Sequence, residues 1–215
     1  MKSLAKQWRI TIFTLLGIGV FLALVAFAAD RAHIPFAVLS SDPTATTHTP
    51  IYTGIISNLG VLIWCIAMTV CFSNAAIVLR ISQQRTAFWF LVSSGCLTAI
   101  LLADDLLTLH ENIFSKLLGV DEKIVYAMYV VLLIPYLGRF ARSILQTDYL
   151  LFLTALGLFG CSIIVDVAFG SWLSDDFIIF IEDSSKLAGI LGWCVYWIRT
   201  SFDMINSYLK PSRLI

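Results

Sequence analysis

Residues 86–114 read TAFWFLVSSGCLTAILLADDLLTLHENIF, and from Thr86 to Ala103 not one side chain is charged. A helix needs about 20 mainly apolar residues to cross a hydrocarbon layer about 30 Å thick, so this run predicts a membrane-crossing helix. Near its far end come Asp104 and Asp105, then His110 and Glu111. Ionisable groups at such depth are costly in lipid, which predicts that they face the interior of a helix bundle and mark function.

Working outward, five further stretches have the same character: residues 10–29, 51–79, 124–143 (with Pro135 inside), 149–169 and 177–199. The predicted fold class is therefore an all-α, polytopic integral membrane bundle of six transmembrane helices. It forms one domain over residues 1–215, with an external loop at 30–50 that holds His33 and His48. Composition agrees: 59% of residues are hydrophobic and 13% charged, against about 25% charged in a typical soluble domain. Fourteen basic and fourteen acidic side chains cancel. With no basic stripe, nucleic acid is not expected as a partner.

Lys and Arg gather in short cytoplasmic loops, and this orients the bundle. With six crossings, Lys2, Lys6, Arg9, Arg80, Arg85, Arg139, Arg142, Arg199, Lys210 and Arg213 share one side. Arg31, Lys116 and Lys123 share the other. Both termini are thus expected in the cytoplasm, in a plasma or inner membrane. A rival reading takes Lys2, Lys6, Arg9 and the following apolar run, ending at Ala26-Phe27-Ala28, as a cleaved secretory signal. Its apolar stretch exceeds a typical signal core, which favours a retained helix.

Depth ties three predicted helices together. Asp104 lies 18 residues beyond Thr86, Asp166 18 beyond Asp148, and Glu182 17 before Arg199. At a rise of 1.5 Å per residue, all three carboxylates sit about 25–27 Å above the cytoplasmic boundary. On a continuous helical wheel, Thr108, Glu111, Asp105 and Asn112 share an arc with Asp104, and His110 points elsewhere. Glu182, Asp183, Lys186, Gly189 and Trp193 form a matching arc on the last helix. The expected site lies between the third, fifth and sixth helices. A plainer reading has the carboxylates simply ending their helices at the headgroups, with Glu182 and Lys186 paired at i, i+4.

Several carboxylates with one histidine suit a hard or borderline divalent cation. Asp104, His110, Glu111, Asp166 and Glu182 are the candidate metal ligands, zinc being the favoured ion. Metal-bound water would be the nucleophile, with Asp105, Asp183 and Lys186 as catalytic proton carriers. Substrate at this depth is lipid-like, so the leading expectation is a metal-dependent hydrolase cleaving an ester or amide. Used differently, the same carboxylates and Lys186 serve a proton- or cation-coupled transporter or channel. A third class is an accessory subunit, or a homo-oligomer, held by small-residue faces such as Ser93-Ser94-Gly95 and Gly189 with Gly192.

Two partial likenesses touch these residues. Asp105 with His110 is similar to the transmembrane Asp and His zinc site of alkaline ceramidases, which implies a lipid amidase. The last helix here lacks their His-x-x-x-His pair, and the span count is one short. Glu182-x-x-x-Lys186 resembles the acidic residue and Schiff-base lysine in the last helix of microbial rhodopsins, without their aromatic retinal box and with too few spans. Neither likeness extends to a family assignment. Cys65, Cys71, Cys96, Cys161 and Cys194 have no metal-ligand spacing and read as small buried hydrophobes. Trp8, Trp64, Trp89, Trp172, Trp193 and Trp197 read mostly as interfacial anchors.

Overall fold

The computed structural model describes residues 4–35, 38–39, 47–50, 52–82, 84–109, 113–114, 116, 118–169 and 175–209. Among them the chain is all-helical: α1 (Leu4–Arg31), α2 (Ile55–Ile81), α3 (Arg85–Leu107), α4 (Glu122–Leu145), α5 (Tyr149–Phe169) and α6 (Asp175–Leu209). Four stretches are long and apolar enough to cross a membrane: Thr11–Arg31, Ile55–Ile81, Arg85–Leu107 and Ile124–Leu145. Tyr149–Val165 is equally apolar but shorter. The 35 residues of α6 interleave its apolar side chains with Glu182, Asp183, Lys186 and Arg199.

Two compact units divide the chain at Thr53. In the first, α1 carries apolar side chains all round, and Phe13, Leu16, Val20, Phe21 and Leu24 are all exposed. A helix without a polar face is stable where its surroundings are themselves apolar, as in a bilayer.

The second unit holds α2 to α6. Only three residues separate α2 from α3, and such a short link makes antiparallel neighbours. In this unit α2 packs along α3 and α6, and α5 along α6, whereas α4 meets α3 and α5 at few points. Apolar burial between helices gains little in lipid, so close fit must hold the unit together, and small residues supply it. A Cβ on Gly95 would stand 2.8 Å from the Phe72 ring, and one on Gly189 would stand 2.7 Å from the Phe159 ring. Both sites admit only glycine unless those rings move.

Aromatic rings fill the resulting core. Trp193 meets Trp64, Phe152, Phe159 and Trp197, and Trp197 continues the chain of contacts to Phe90 and Tyr196. Several buried polar groups in this layer are matched, while the Trp64 and Trp197 indole N–H groups meet no acceptor among the described residues. The Trp193 indole N–H donates to Thr98 Oγ1 at 3.0 Å, and Thr98 Oγ1 donates to the Ser94 carbonyl at 2.8 Å. Ser94 Oγ donates to the Phe90 carbonyl, which leaves the Tyr136 hydroxyl to donate to Ser94 Oγ at 2.8 Å. Trp64, Trp193 and Trp197 are therefore core residues rather than interfacial anchors, while Trp8 and Trp89 are exposed. A tryptophan needs a large space, which the core of a membrane bundle offers, and Trp193 also finds its acceptor there. The cysteine expectation also needs correcting. Cys71 and Cys194 are buried, but Cys96 and Cys161 are exposed on apolar helices, and all five are free thiols.

Pro135 lies inside α4 and divides it. After it, Tyr136, Phe140 and Ile144 are buried in the core. Before it, Tyr126, Tyr129, Val130 and Leu133 line a cavity.

Candidate functional site

The α-helix of α3 ends at Leu107, not Phe114. Thr108 takes a left-handed backbone (φ +46°), with its N–H donating back to the Asp104 carbonyl. The wheel that set Glu111 and Asn112 beside Asp104 assumed an unbroken α-helix, and both residues lie outside the described residues. So do His110 and the side chain of Asp166 on α5.

Just before this helix end, Asp104 and Asp105 are each only 8% exposed. Burial at that level demands compensation, because an ionised carboxylate removed from water costs several kcal/mol on the order given by desolvation. Both have it. The Tyr129 hydroxyl of α4 lies beside the Asp104 carboxylate. Lys186 Nζ of α6 stands 2.5 Å from Asp105 Oδ1. Lysine thus bridges two helices, which the i, i+4 spacing with Glu182 could not reveal. On the opposite side of Asp105, Gly60 of α2 makes the approach possible: a Cβ there would lie 3.4 Å from Asp105 Oδ2 and 3.1 Å from Ile190.

These groups edge a cavity of about 270 Å³. Asp104, Asp105, Glu182 and Lys186 line it together with Trp64, Leu97, Leu101, Leu133, Leu156, Phe159 and Trp193. Its wall is mostly apolar. Leu97 and Leu101 precede Asp104 on α3, and Trp193 follows Lys186 on α6, so the charged residues collect toward one end. Five helices contribute, including α4. Tyr126 and Tyr129 were missed in the sequence, where two tyrosines three apart near a predicted span end look like interfacial anchors. The Trp64 indole N–H, buried in the same wall, meets no acceptor among the described residues.

A second cavity, about 220 Å³, adjoins through shared walls. Asp105 and Lys186 line both. Ser57, Gly60, Thr108, Asp183 and Leu187 complete much of the second, which is about equally polar and apolar. Asp183, on the exposed side of α6, enters this cavity and not the first.

Of the expected site residues, then, Asp104, Asp105, Glu182 and Lys186 meet at one cavity, and Asp183 at its neighbour. Among the described residues, no three His, Cys, Asp or Glu side chains are grouped to hold a metal ion. His33 and His48, of the expected external loop, belong to the first unit.

Apolar helices of membrane-crossing length, lining a cavity edged by buried charge, define a helical membrane protein with a ligand-sized cavity between its helices. Residues 15–200 match the family described as a domain of unknown function, DUF8692, and the chain belongs to that family. No curated protein and no solved structure matches the chain.

Proposed function

We propose that this protein is a six-span membrane protein, with both termini cytoplasmic, that binds a lipid-like amphiphile within the bilayer. The observation that carries this reading is the cavity of about 270 Å³: apolar over most of its wall and charged toward one end. Ligand pockets are generally of this kind, mostly apolar with a few placed polar groups that fix orientation. An acyl chain fits the part lined by Leu97, Leu101, Leu133, Leu156 and Trp193, and its polar end meets Asp104, Asp105, Glu182 and Lys186. The unmatched Trp64 N–H supports the same reading, since a ligand oxygen would supply its acceptor.

The test is photocrosslinking in nanodiscs with a fatty alcohol carrying a diazirine in mid-chain. Adducts on Leu101, Leu133 and Leu156 are the expected result. Adducts confined to outward residues such as Leu106, Val131 and Leu153, which are exposed, would overturn it.

A second reading adds chemistry to binding. Asp104 and Glu182, two of the expected metal ligands, line the same cavity. A divalent ion, zinc first, held there with help from His110, Glu111 and Asp166, would make the protein a hydrolase of that amphiphile. Asp183 would then serve as a proton carrier at the rim. Elemental analysis of protein purified without chelator decides this. One zinc per chain, lost in Asp104→Ala and Glu182→Ala, is the expected result, and metal-free protein refutes the hydrolase.

A further inference from the structure

The second cavity has no role in the reading above. It is smaller and more polar than the first, and among the described residues Asp105 and Lys186 alone line both. Two adjoining spaces of opposite character, one mostly apolar and one half polar, match the two ends of an amphiphile. The ion pair stands where they meet.

We propose that the ligand whose chain occupies the first cavity reaches past the ion pair, so that its head sits in the second cavity, which favours heads bearing hydroxyl groups over anionic ones. This rests on the reading of the first cavity as the chain site. Charge argues against an anionic head. Lys186 is held by Asp105 at 2.5 Å, so its ammonium is already matched, and among the described residues the other charged side chain lining this cavity is the carboxylate of Asp183. An anionic head would enter a space whose side-chain charge is already negative. Ser57 and Thr108 provide hydroxyl oxygens, and the carboxylates accept from hydroxyl donors. A head with several hydroxyls can give to acids and exchange with hydroxyls at once. A quaternary ammonium is drawn by the same negative charge but has no donor to give to the carboxylates, so it tests charge apart from hydrogen bonding.

Three probes with the same diazirine-bearing chain test this in nanodiscs: a monoacylglycerol, a lysophosphatidic acid, and an alkyl-trimethylammonium. The glycerol head should label Leu101 and Leu156 at least about five-fold more than the phosphate head, the worth of roughly one hydrogen bond. Ser57→Val should lower glycerol labelling by about the same factor and leave the plain fatty alcohol unchanged. Asp183→Asn, on the exposed side of α6, should narrow the gap between glycerol and phosphate heads. Equal labelling by all three heads, or a gap untouched by both substitutions, would overturn the headgroup site while leaving the chain site standing. Failure of every probe to reach Leu101 and Leu156 would instead overturn the chain site and this proposal with it.

Discussion

The bundle of α2 to α6 has two regions of opposite design. In the layer of Phe90, Tyr136, Phe152, Trp193, Tyr196 and Trp197, rings interlock and the Ser94, Thr98 and Trp193 polar groups are matched. In the layer of Asp104, Asp105, Glu182 and Lys186, the helices leave a cavity of about 270 Å³ and place charge around it. Trp193 belongs to both, with one face in the core and one in the cavity wall. The contrast teaches that stability and chemistry are assigned to different depths along the same helices. A well-filled layer lets its neighbour stay open and charged.

The largest effect expected from this contrast is at Trp193→Ala. That change removes a fully buried ring and its hydrogen bond to Thr98, and should cost about 3–5 kcal/mol, read as a fall in the midpoint of thermal unfolding in nanodiscs. A loss below about 1 kcal/mol would mean that the filled layer is not the stabilising one.

Next comes the ion pair. Asp105→Asn leaves Lys186 without its anion. Because the Lys186 side chain is partly exposed, the expected cost is about 1–3 kcal/mol, below that of a fully buried pair. Asp105→Leu combined with Lys186→Met should recover most of it, since an apolar pair of similar volume avoids the desolvation of both charges. If the double variant is as unstable as the single one, the pair is not acting as a unit.

The smallest effect sharpens the comparison most. Leu101→Phe adds volume toward the cavity and should change stability by less than about 1 kcal/mol, because space is available. Leu91→Phe, at a fully buried position in the filled layer, should cost about 1–3 kcal/mol through overpacking. Equal costs would show that the cavity is not open to a side chain. Leu101→Phe should also reduce diazirine labelling of Leu156, since both residues line the same space.

Much of this arrangement was readable from residues alone. Apolar runs gave the helices, and the rise per residue brought Asp104 and Glu182 to one level before any coordinates did. Three things were not readable, each for a physical reason. Lys186 could reach Glu182 along its own helix or Asp105 across the bundle, and one-dimensional spacing scores only the first. Tyr129 sits where either a membrane interface or a carboxylate satisfies its hydroxyl, so its type does not choose between them. The end of α3 at Leu107 depends on the left-handed Thr108, a conformation that threonine seldom adopts and that no glycine or proline there announced.

Pro135 has a mechanical consequence. A proline within a helix cannot donate to the carbonyl four residues back, here that of Val131, and its ring crowds that turn. Bending stiffness is lowest at such a joint. The tail of α4 is wedged in the core by Phe140 and Ile144, so a bend at Pro135 would fall on the segment bearing Tyr126 and Tyr129, which forms one wall of the cavity. Compliance is thereby assigned by covalent structure to the wall that makes the fewest contacts with its neighbours.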